Sequence, residues 1–81
     1  MEGLWQKAAD CMRDKLGPVG FEAWIEPLNF LGMQGRTATI EAPNCFFRDW
    51  VSDRYLELLR ESLSAEAGKT VEVKLTNSAN V

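Results

Sequence analysis

The sequence predicts a small α+β domain, in which a three-stranded sheet is packed on one face by helices in the order helix, helix, strand, strand, helix, strand. Two periodicities predict this class. Apolar residues recur at steps of three and four in the predicted helices, and they alternate with polar residues in the predicted strands. A sheet with a single apolar face needs a layer of helices to cover it. The 81 residues leave room for one hydrophobic core and hence for one domain.

The first helix is predicted over residues 4–16, because its apolar positions fall on one side of a helical wheel. Gly17 and Pro18 end this helix, since glycine suits a helix C-terminus and proline interrupts the hydrogen-bond ladder but can begin a new helix. A short second helix is therefore predicted over residues 19–25, and Pro27 ends it. The apolar positions of the first helix are Leu4, Trp5, Ala8, Ala9, Cys11, Met12 and Leu16.

Two strands joined by a turn are predicted next, over residues 28–33 and 36–42, with the turn around Gly35. A third strand is predicted over residues 71–75. The sequence leaves open whether the third strand pairs with the first or with the second. The second strand, the helix that follows it and the third strand are compatible with a right-handed crossover. In the second strand the apolar face consists of Ala38, Ile40 and Ala42.

A long helix is predicted from Asn44, whose side chain suits the N-cap position, to about Ala65. Gly68 closes the connection to the third strand. The domain is expected to occupy residues 1–76, and residues 77–81 are expected to begin a flexible linker, because the alternating pattern is lost there. The apolar stripe of the long helix consists of Phe47, Trp50, Val51, Tyr55, Leu58, Leu59 and Leu63.

Composition and charge exclude several classes of function. Nine Lys and Arg against 12 Asp and Glu give a formal net charge of −3, so no overall positive field exists to hold duplex DNA. The chain has no His, which removes the usual general base and the commonest metal ligand. We therefore expect no enzyme, no metal site and no cofactor. No signal peptide and no apolar window of about 18 residues occurs, so we expect a cytoplasmic protein that does not contact a membrane.

The aromatic residues divide into core and surface candidates. Trp24 and Trp50 are predicted to lie in the core, since a small domain needs large side chains to fill it. Trp5 and Ala9 lie at one shoulder of an apolar sector wider than the roughly 100° stripe that packing on one core requires. Trp5 is thus either an interface residue or an edge of the core. Phe46 and its neighbour Phe47 cannot both point at the same core, so one of them is expected at the surface.

A ridge of like charge is predicted along the long helix, where acidic residues recur at steps of four. Neighbouring carboxylates repel mildly, so either the adjacent Arg48, Arg54 and Arg60 or a basic partner offsets them. The ridge is either a solvated face or the rim of a docking surface. Its members are Asp49, Asp53, Glu57 and Glu61.

Several segments together resemble a known family. Residues 21–28 read FEAWIEPL and residues 42–51 read APNCFFRDWV, with Leu4-Trp5 before them and Tyr55-Leu56 after them. This combination is similar to the N-terminal domain of the bacterial chromosomal replication initiator DnaA, and the similarity runs over nearly the whole chain. The resemblance implies a KH-like fold that is used for protein contacts.

The resemblance also implies roles for individual residues. Trp5 matches a tryptophan associated with self-association in the family, and Ala9 lies beside it on the same shoulder. Phe46 matches a phenylalanine associated with contact to the replicative helicase. The implied partners are a second copy of the initiator, the helicase and regulator proteins of initiation, with Asp49 and Asp53 on the docking rim. Gly20 departs from the family pattern, because some relatives carry an acidic contact residue there.

Single-stranded nucleic-acid binding is the alternative function, since KH domains bind RNA through a Gly-x-x-Gly loop between two helices. Gly17 and Gly20 form such a string, but Pro18 donates no N–H and Val19 carries no charge, so helix termination accounts for the glycines. Weak binding of single-stranded DNA would then depend on a local basic strip. Its candidate members are Arg48, Arg54 and Lys69.

Overall fold

The computed structural model describes residues 2–77, which form three helices and three strands. Within these residues, no helix is both long enough and apolar enough to cross a membrane. In chain order the elements are α1 (Glu2–Trp24), β1 (Asn29–Gln34), β2 (Thr37–Ala42), α2 (Cys45–Arg54), α3 (Leu56–Ala67) and β3 (Glu72–Asn77).

Helix α1 consists of two helical segments that meet at Gly17, as the sequence predicts. Gly17 has φ 82° and ψ 162°, a conformation that side-chain-bearing residues rarely adopt. Residues 2–16 form the first segment of α1, and residues 18–24 form its second segment. Pro18 opens the second segment, where its missing N–H costs no helical hydrogen bond.

The sheet has the strand order β1-β2-β3, which settles the pairing of the third strand. Strands β1 and β2 form the predicted antiparallel hairpin. Strand β3 pairs with β2 in parallel, from Thr37 opposite Glu72 to Ala42 opposite Asn77. The chain between β2 and β3, including α2 and α3, is therefore a crossover connection in a mixed sheet.

One face of the sheet carries the core. Ala38, Ile40 and Ala42 of β2 are buried as predicted, and the helices cover them. A bulge in β1 between Phe30 and Gly32 interrupts the alternation and leaves Leu31 exposed. The other buried apolar residues of the core are Ala8, Met12, Ile25, Leu28, Val51, Leu59, Leu63 and Val71.

The predicted long helix is interrupted at Tyr55, which corrects the expectation of one continuous helix to about Ala65. Tyr55 has φ −121° and ψ 3°, outside the helical region, although its N–H still donates to the Val51 carbonyl at 2.7 Å. The two helices then contact different elements: α2 packs on β2 and β3, whereas α3 packs mainly on α1 and also on β3. Because of the break at Tyr55, α2 and α3 can each pack against a different set of elements.

Strand β3 extends further than predicted, because Thr76 and Asn77 are its last residues. Arg48 Nη1 donates to Asn77 Oδ1 at 2.7 Å and ties the end of the strand to α2. The remainder of the expected linker, residues 78–81, lies outside the described residues.

Candidate protein-interaction surfaces

An aromatic pocket lies between the second segment of α1 and the first half of α2. Its volume is about 320 Å³. Asn44 begins α2 and accepts a hydrogen bond from the Phe47 N–H at 2.8 Å, so the predicted N-cap also fixes the start of the pocket wall. The pocket is lined by Trp24, Asn44, Phe46, Phe47 and Trp50.

Stacked rings form the base of the aromatic pocket. The Trp24 ring lies 5.0 Å from the Trp50 ring, at 24° to it, and 5.2 Å from the Phe47 ring. The Arg54 guanidinium carbon lies 4.1 Å from the centroid of the Trp50 ring, within cation–π distance. These contacts hold the indoles in place, whereas Phe46 stands 83% exposed beside them.

The exposure of Trp50 corrects its prediction as a core residue. Trp50 is 40% exposed, whereas the next residue, Val51, is fully buried. Consecutive helical residues point about 100° apart, so Val51 takes the core position and Trp50 lies one turn after Phe46 on the outer shoulder. Trp24, which stacks on Trp50, is half-buried. The expectation that either Phe46 or Phe47 lies at the surface is confirmed, since Phe47 packs against the core.

The predicted acidic ridge is divided between two helices by the break at Tyr55. Asp49 is exposed and pairs with Arg48, with Nη2 and Oδ1 3.0 Å apart. Asp53 is also exposed, and no salt bridge within residues 2–77 involves it. On α3, Glu57 pairs with Arg60 at 3.2 Å. The structure therefore places Asp49 and Asp53 on the same helix as Phe46 and Trp50, apart from the other two acidic residues.

A second surface, the α1 groove, lies beside Trp5 and has a volume of about 240 Å³. The Trp5 indole is half-buried and stacks flat on Phe30 of β1, with centroids 5.5 Å apart and planes at 6°. Ala9 is only 5% exposed, so it shapes the floor of the groove and offers little contact area of its own. The groove is lined by Trp5, Gln6, Ala9, Asp10, Arg13, Phe21, Ile25 and Glu26.

The walls of the α1 groove carry charges of both signs. Asp10 accepts a hydrogen bond from Gln6 Nε2 at 3.2 Å. The Arg13 guanidinium carbon lies 5.6 Å from the Phe21 ring centroid. Within residues 2–77, no salt bridge involves Asp10, Arg13 or Glu26.

The candidate basic strip is not assembled. Arg48 lies at the end of β3, hydrogen-bonded to Asn77, whereas Lys69 precedes the start of that strand. Six residues of strand separate these two ends, a span of about 17 to 20 Å. Arg54 lies on the Trp50 ring. A phosphate backbone therefore meets no continuous row of these cations.

Sequence reasoning missed two features of the surfaces. Phe30 supports the Trp5 indole, and no signal in the sequence links residues so far apart. Trp24 and Asn44 were assigned to the core and to a helix cap, yet both line the aromatic pocket; the grouping of aromatic residues on each side of Asn44 was the available signal.

The fold and these surfaces define the class. The chain is a KH-like α+β domain with two surface sites. One is built around the exposed Phe46 and Trp50 and the other around the half-buried Trp5, and aromatic side chains at the surface are typical of a protein-interaction domain. No group of three or more His, Cys, Asp or Glu within residues 2–77 is arranged to hold a metal ion.

Comparisons with known proteins identify the family. Residues 2–65 match the family model of the DnaA N-terminal domain. The chain is 36% identical over 74 residues to the chromosomal replication initiator protein DnaA of Citrifermentans bemidjiense, covering 91% of this chain and 16% of that protein. It is 37% identical over 71 residues to DnaA of Thermodesulfovibrio yellowstonii, covering 88% of this chain and 16% of that protein. The chain belongs to the DnaA N-terminal domain family.

A solved structure shares the fold. The crystal structure of a HobA–DnaA (domain I-II) complex from Helicobacter pylori matches with a TM-score of 0.78 at 18% identity, covering 90% of this chain and 95% of that one. The α+β class and the element order predicted from the sequence are thus confirmed. The chain spans 16% of the length of the two DnaA relatives described above.

Proposed function

We propose that this chain is a protein–protein interaction domain of a replication initiator in the cytoplasm. One surface, around Trp5 and Ala9, joins initiator molecules at the origin. The other, around Phe46 with Asp49 and Asp53, recruits the replicative helicase and receives regulators of initiation. Neither role requires catalysis or a cofactor.

The observation that carries the proposal is the exposure of Phe46 at the mouth of a preformed aromatic pocket. Phe46 is 83% exposed, and Trp50 beside it is held by Trp24 and Arg54. Rigid aromatic side chains bury much area on binding at a small entropic cost, and they are enriched among the residues that dominate interface energies. Burying the Phe46 side chain alone is worth about 1.5 to 3 kcal/mol.

The acidic residues on α2 suit a partner with basic groups near its apolar contact. Asp53 has no salt bridge within the described residues, and Asp49 has a single, mostly exposed one. Charges at the rim of an interface mainly steer association and select partners. Together with the net charge of −3, they favour a basic partner surface around an apolar centre.

Self-association is supported by the geometry at Trp5. Stacking on Phe30 fixes the indole, and the small Ala9 on the groove floor leaves space beside it for a side chain of the partner. A weak homodimer or oligomer is the expected product.

The H. pylori relative was crystallised with HobA. We infer that this domain also binds other proteins, including the regulators of initiation, and that the aromatic pocket is the surface they contact.

The test is a titration of the isotope-labelled domain with the N-terminal domain of the replicative helicase from the same organism, followed by backbone amide shifts. Shifts centred on Phe46, Trp50 and Asp53 are expected. Phe46→Ala should weaken binding by about ten- to a hundredfold, because it removes the contact area estimated above.

The matched control is Val19→Ala. Val19 is also 83% exposed and apolar, but it does not line the aromatic pocket, so its substitution should leave the affinity unchanged. Equal losses in both variants, or shifts that avoid α2, would contradict the assignment of the pocket.

A further inference from the structure

The sheet has two outer edges, and they differ in regularity. Strands β1 and β3 lie at the two ends of the strand order, so within residues 2–77 each has a neighbouring strand on one side only. The β1 edge is interrupted by the bulge between Phe30 and Gly32, and a bulge disrupts strand pairing. Strand β3 pairs with β2 in an unbroken register over all 6 of its residues. The open edge of β3 is therefore the one on which a further strand can pair.

The main-chain groups of β3 face in two directions. The Glu72 N–H donates to the Arg36 carbonyl at 2.7 Å, so the main chain of Glu72 faces β2. Successive residues of a strand direct their N–H and C=O groups to opposite sides, and the groups of Val73 and Leu75 therefore face the open edge. Within residues 2–77, no hydrogen bond outside the sheet ladder involves them. These donors and acceptors are thus free to bind a ligand.

The side chains of β3 give the two faces of this edge different chemistry. Val73 and Leu75 are half-buried and pack against the core on the face that the helices cover. Glu72 and Lys74 alternate with them and are exposed. Glu72 pairs with Arg60, with Oε1 and Nη1 3.7 Å apart, whereas no salt bridge among the described residues involves Lys74. The unpaired charge at this edge is therefore positive.

We propose that the open edge of β3 is a docking site for an extended segment of another protein, in which apolar residues alternate with acidic residues. Donors and acceptors that repeat along a strand edge match those of another strand, and strand addition is a common mode of peptide recognition. The apolar residues of the segment lie beside Val73 and Leu75, and an acidic residue lies opposite Lys74, since unlike charges on neighbouring strands attract. These residues line neither the aromatic pocket nor the α1 groove, so the site is separate from both.

The experiment is a titration of the isotope-labelled chain with a short synthetic peptide in which valine alternates with glutamate, followed by backbone amide shifts. The largest shifts are expected at Val73 and Leu75, because their N–H groups gain an acceptor. A second peptide has the same sequence with methylated main-chain nitrogens, which cannot donate hydrogen bonds. It should bind at least about tenfold more weakly, since main-chain hydrogen bonds supply most of the affinity in strand addition.

An exchange of charges tests the contact with Lys74. Lys74→Glu should bind the glutamate peptide about three- to tenfold more weakly, because like charges then lie opposite each other. A peptide with lysine in place of glutamate should bind this variant more tightly than it binds the unmodified chain. Lys15→Glu is the matched control, since Lys15 is exposed on α1 and not on the sheet. It changes the net charge equally and should leave the affinity for the glutamate peptide nearly unchanged.

Three results would overturn this assignment: shifts centred on β1, equal binding of the methylated peptide, or equal effects of the two lysine variants. An absence of shifts at about 1 mM peptide would overturn it too. Lys74 would then only keep other strands from pairing with β3, as charged side chains do on many edge strands. None of these results bears on the proposed roles of Phe46 and Trp5, because their tests use other surfaces.

Discussion

Two serines on α3 differ in whether their hydroxyl groups have a partner. Ser64 Oγ accepts the Val71 N–H at 2.9 Å, which ties α3 to the start of β3. Ser62 Oγ is buried, and it has no hydrogen-bond partner within the described residues. Removing one partner of a buried hydrogen bond leaves the other group unsatisfied, which costs free energy. Removing a hydroxyl that has no partner leaves no other group unsatisfied.

Ser64→Ala should therefore lower the free energy of unfolding by about 1 to 3 kcal/mol, because the part-buried Val71 N–H loses its acceptor. Ser62→Ala is the matched control. It removes an unpaired buried hydroxyl, so stability should be unchanged or slightly raised. Urea denaturation of both variants measures the difference, and equal losses would contradict this account.

Asn44 allows a second test at this scale. Asn44→Ala should destabilise the domain by about 0.5 to 2 kcal/mol, since the Phe47 N–H loses its side-chain acceptor. Asn44→Asp keeps an acceptor and should retain most of the stability. Thermal unfolding distinguishes them, and an Asp variant as unstable as the Ala variant would contradict the role of the acceptor oxygen in the cap.

The positions of individual side chains are predicted correctly where helix geometry alone determines them. The Asn44 cap and the division between Phe46 and Phe47 follow from helix geometry. Trp50 is predicted in the core because it lies on the apolar stripe of one long helix and because a small domain needs large side chains to fill it. In the structure Val51 takes the core position and Trp50 stacks on Trp24 at the surface, a tertiary contact that the sequence of one helix does not indicate.

At the scale of elements, Gly17 makes α1 two segments. Gly17→Ala should destabilise the domain by about 1 to 3 kcal/mol, because a side chain strains the backbone at φ 82° and ψ 162°. Chemical denaturation measures this loss.

Gly20→Ala is the control for that substitution, because Gly20 lies within the second segment of α1 and not at the break. A Cβ at this position would lie 3.4 Å from the Leu16 Cβ, and alanine is favoured over glycine inside a helix by about 0.5 to 1 kcal/mol. Its stability should be equal or higher. A stable Gly17→Ala variant would mean that the break does not need glycine.

The two helix breaks show what local sequence can indicate. Gly17-Pro18 is visible as a helix boundary, and the structure has the break there. Tyr55 carries no such signal, since neither glycine nor proline is near it. Its break follows from the different neighbours of α2 and α3, which depend on the assembled sheet.

At the scale of the whole molecule, the parallel pair of β2 and β3 joins the ends of the crossover connection. A chain ending at Asn77 keeps all of β3 and should unfold in one cooperative transition. A chain ending at Val71 lacks β3, including the apolar Val73 and Leu75 that pack against the core, and it should show no cooperative transition. Cooperative unfolding of the shorter chain would contradict this view of the core.

The element order was predictable because each element has its own periodicity. Only some of the residues that form the two surfaces could be predicted in this way. Trp5 is a predicted contact residue because of the wide apolar sector of the first helix, Phe46 because it is next to Phe47, and both because of the family resemblance. The Phe30 stack, the groove walls and the aromatic pocket combine residues distant in the sequence, and only the packed fold brings them together.

The second segment of α1 lies between the two surfaces. Phe21 of this segment and Ile25, which directly follows the segment, line the α1 groove. Trp24, the last residue of the segment, lines the aromatic pocket. In the self-association proposed above, a chain joined to its copies on one side keeps the other side free, so an assembly would present several pockets at once. Linked sites can raise overall affinity by about 10² to 10⁴ without any new contact. With the self-association proposed above, a partner with several binding copies would distinguish assembled chains from single ones by avidity alone.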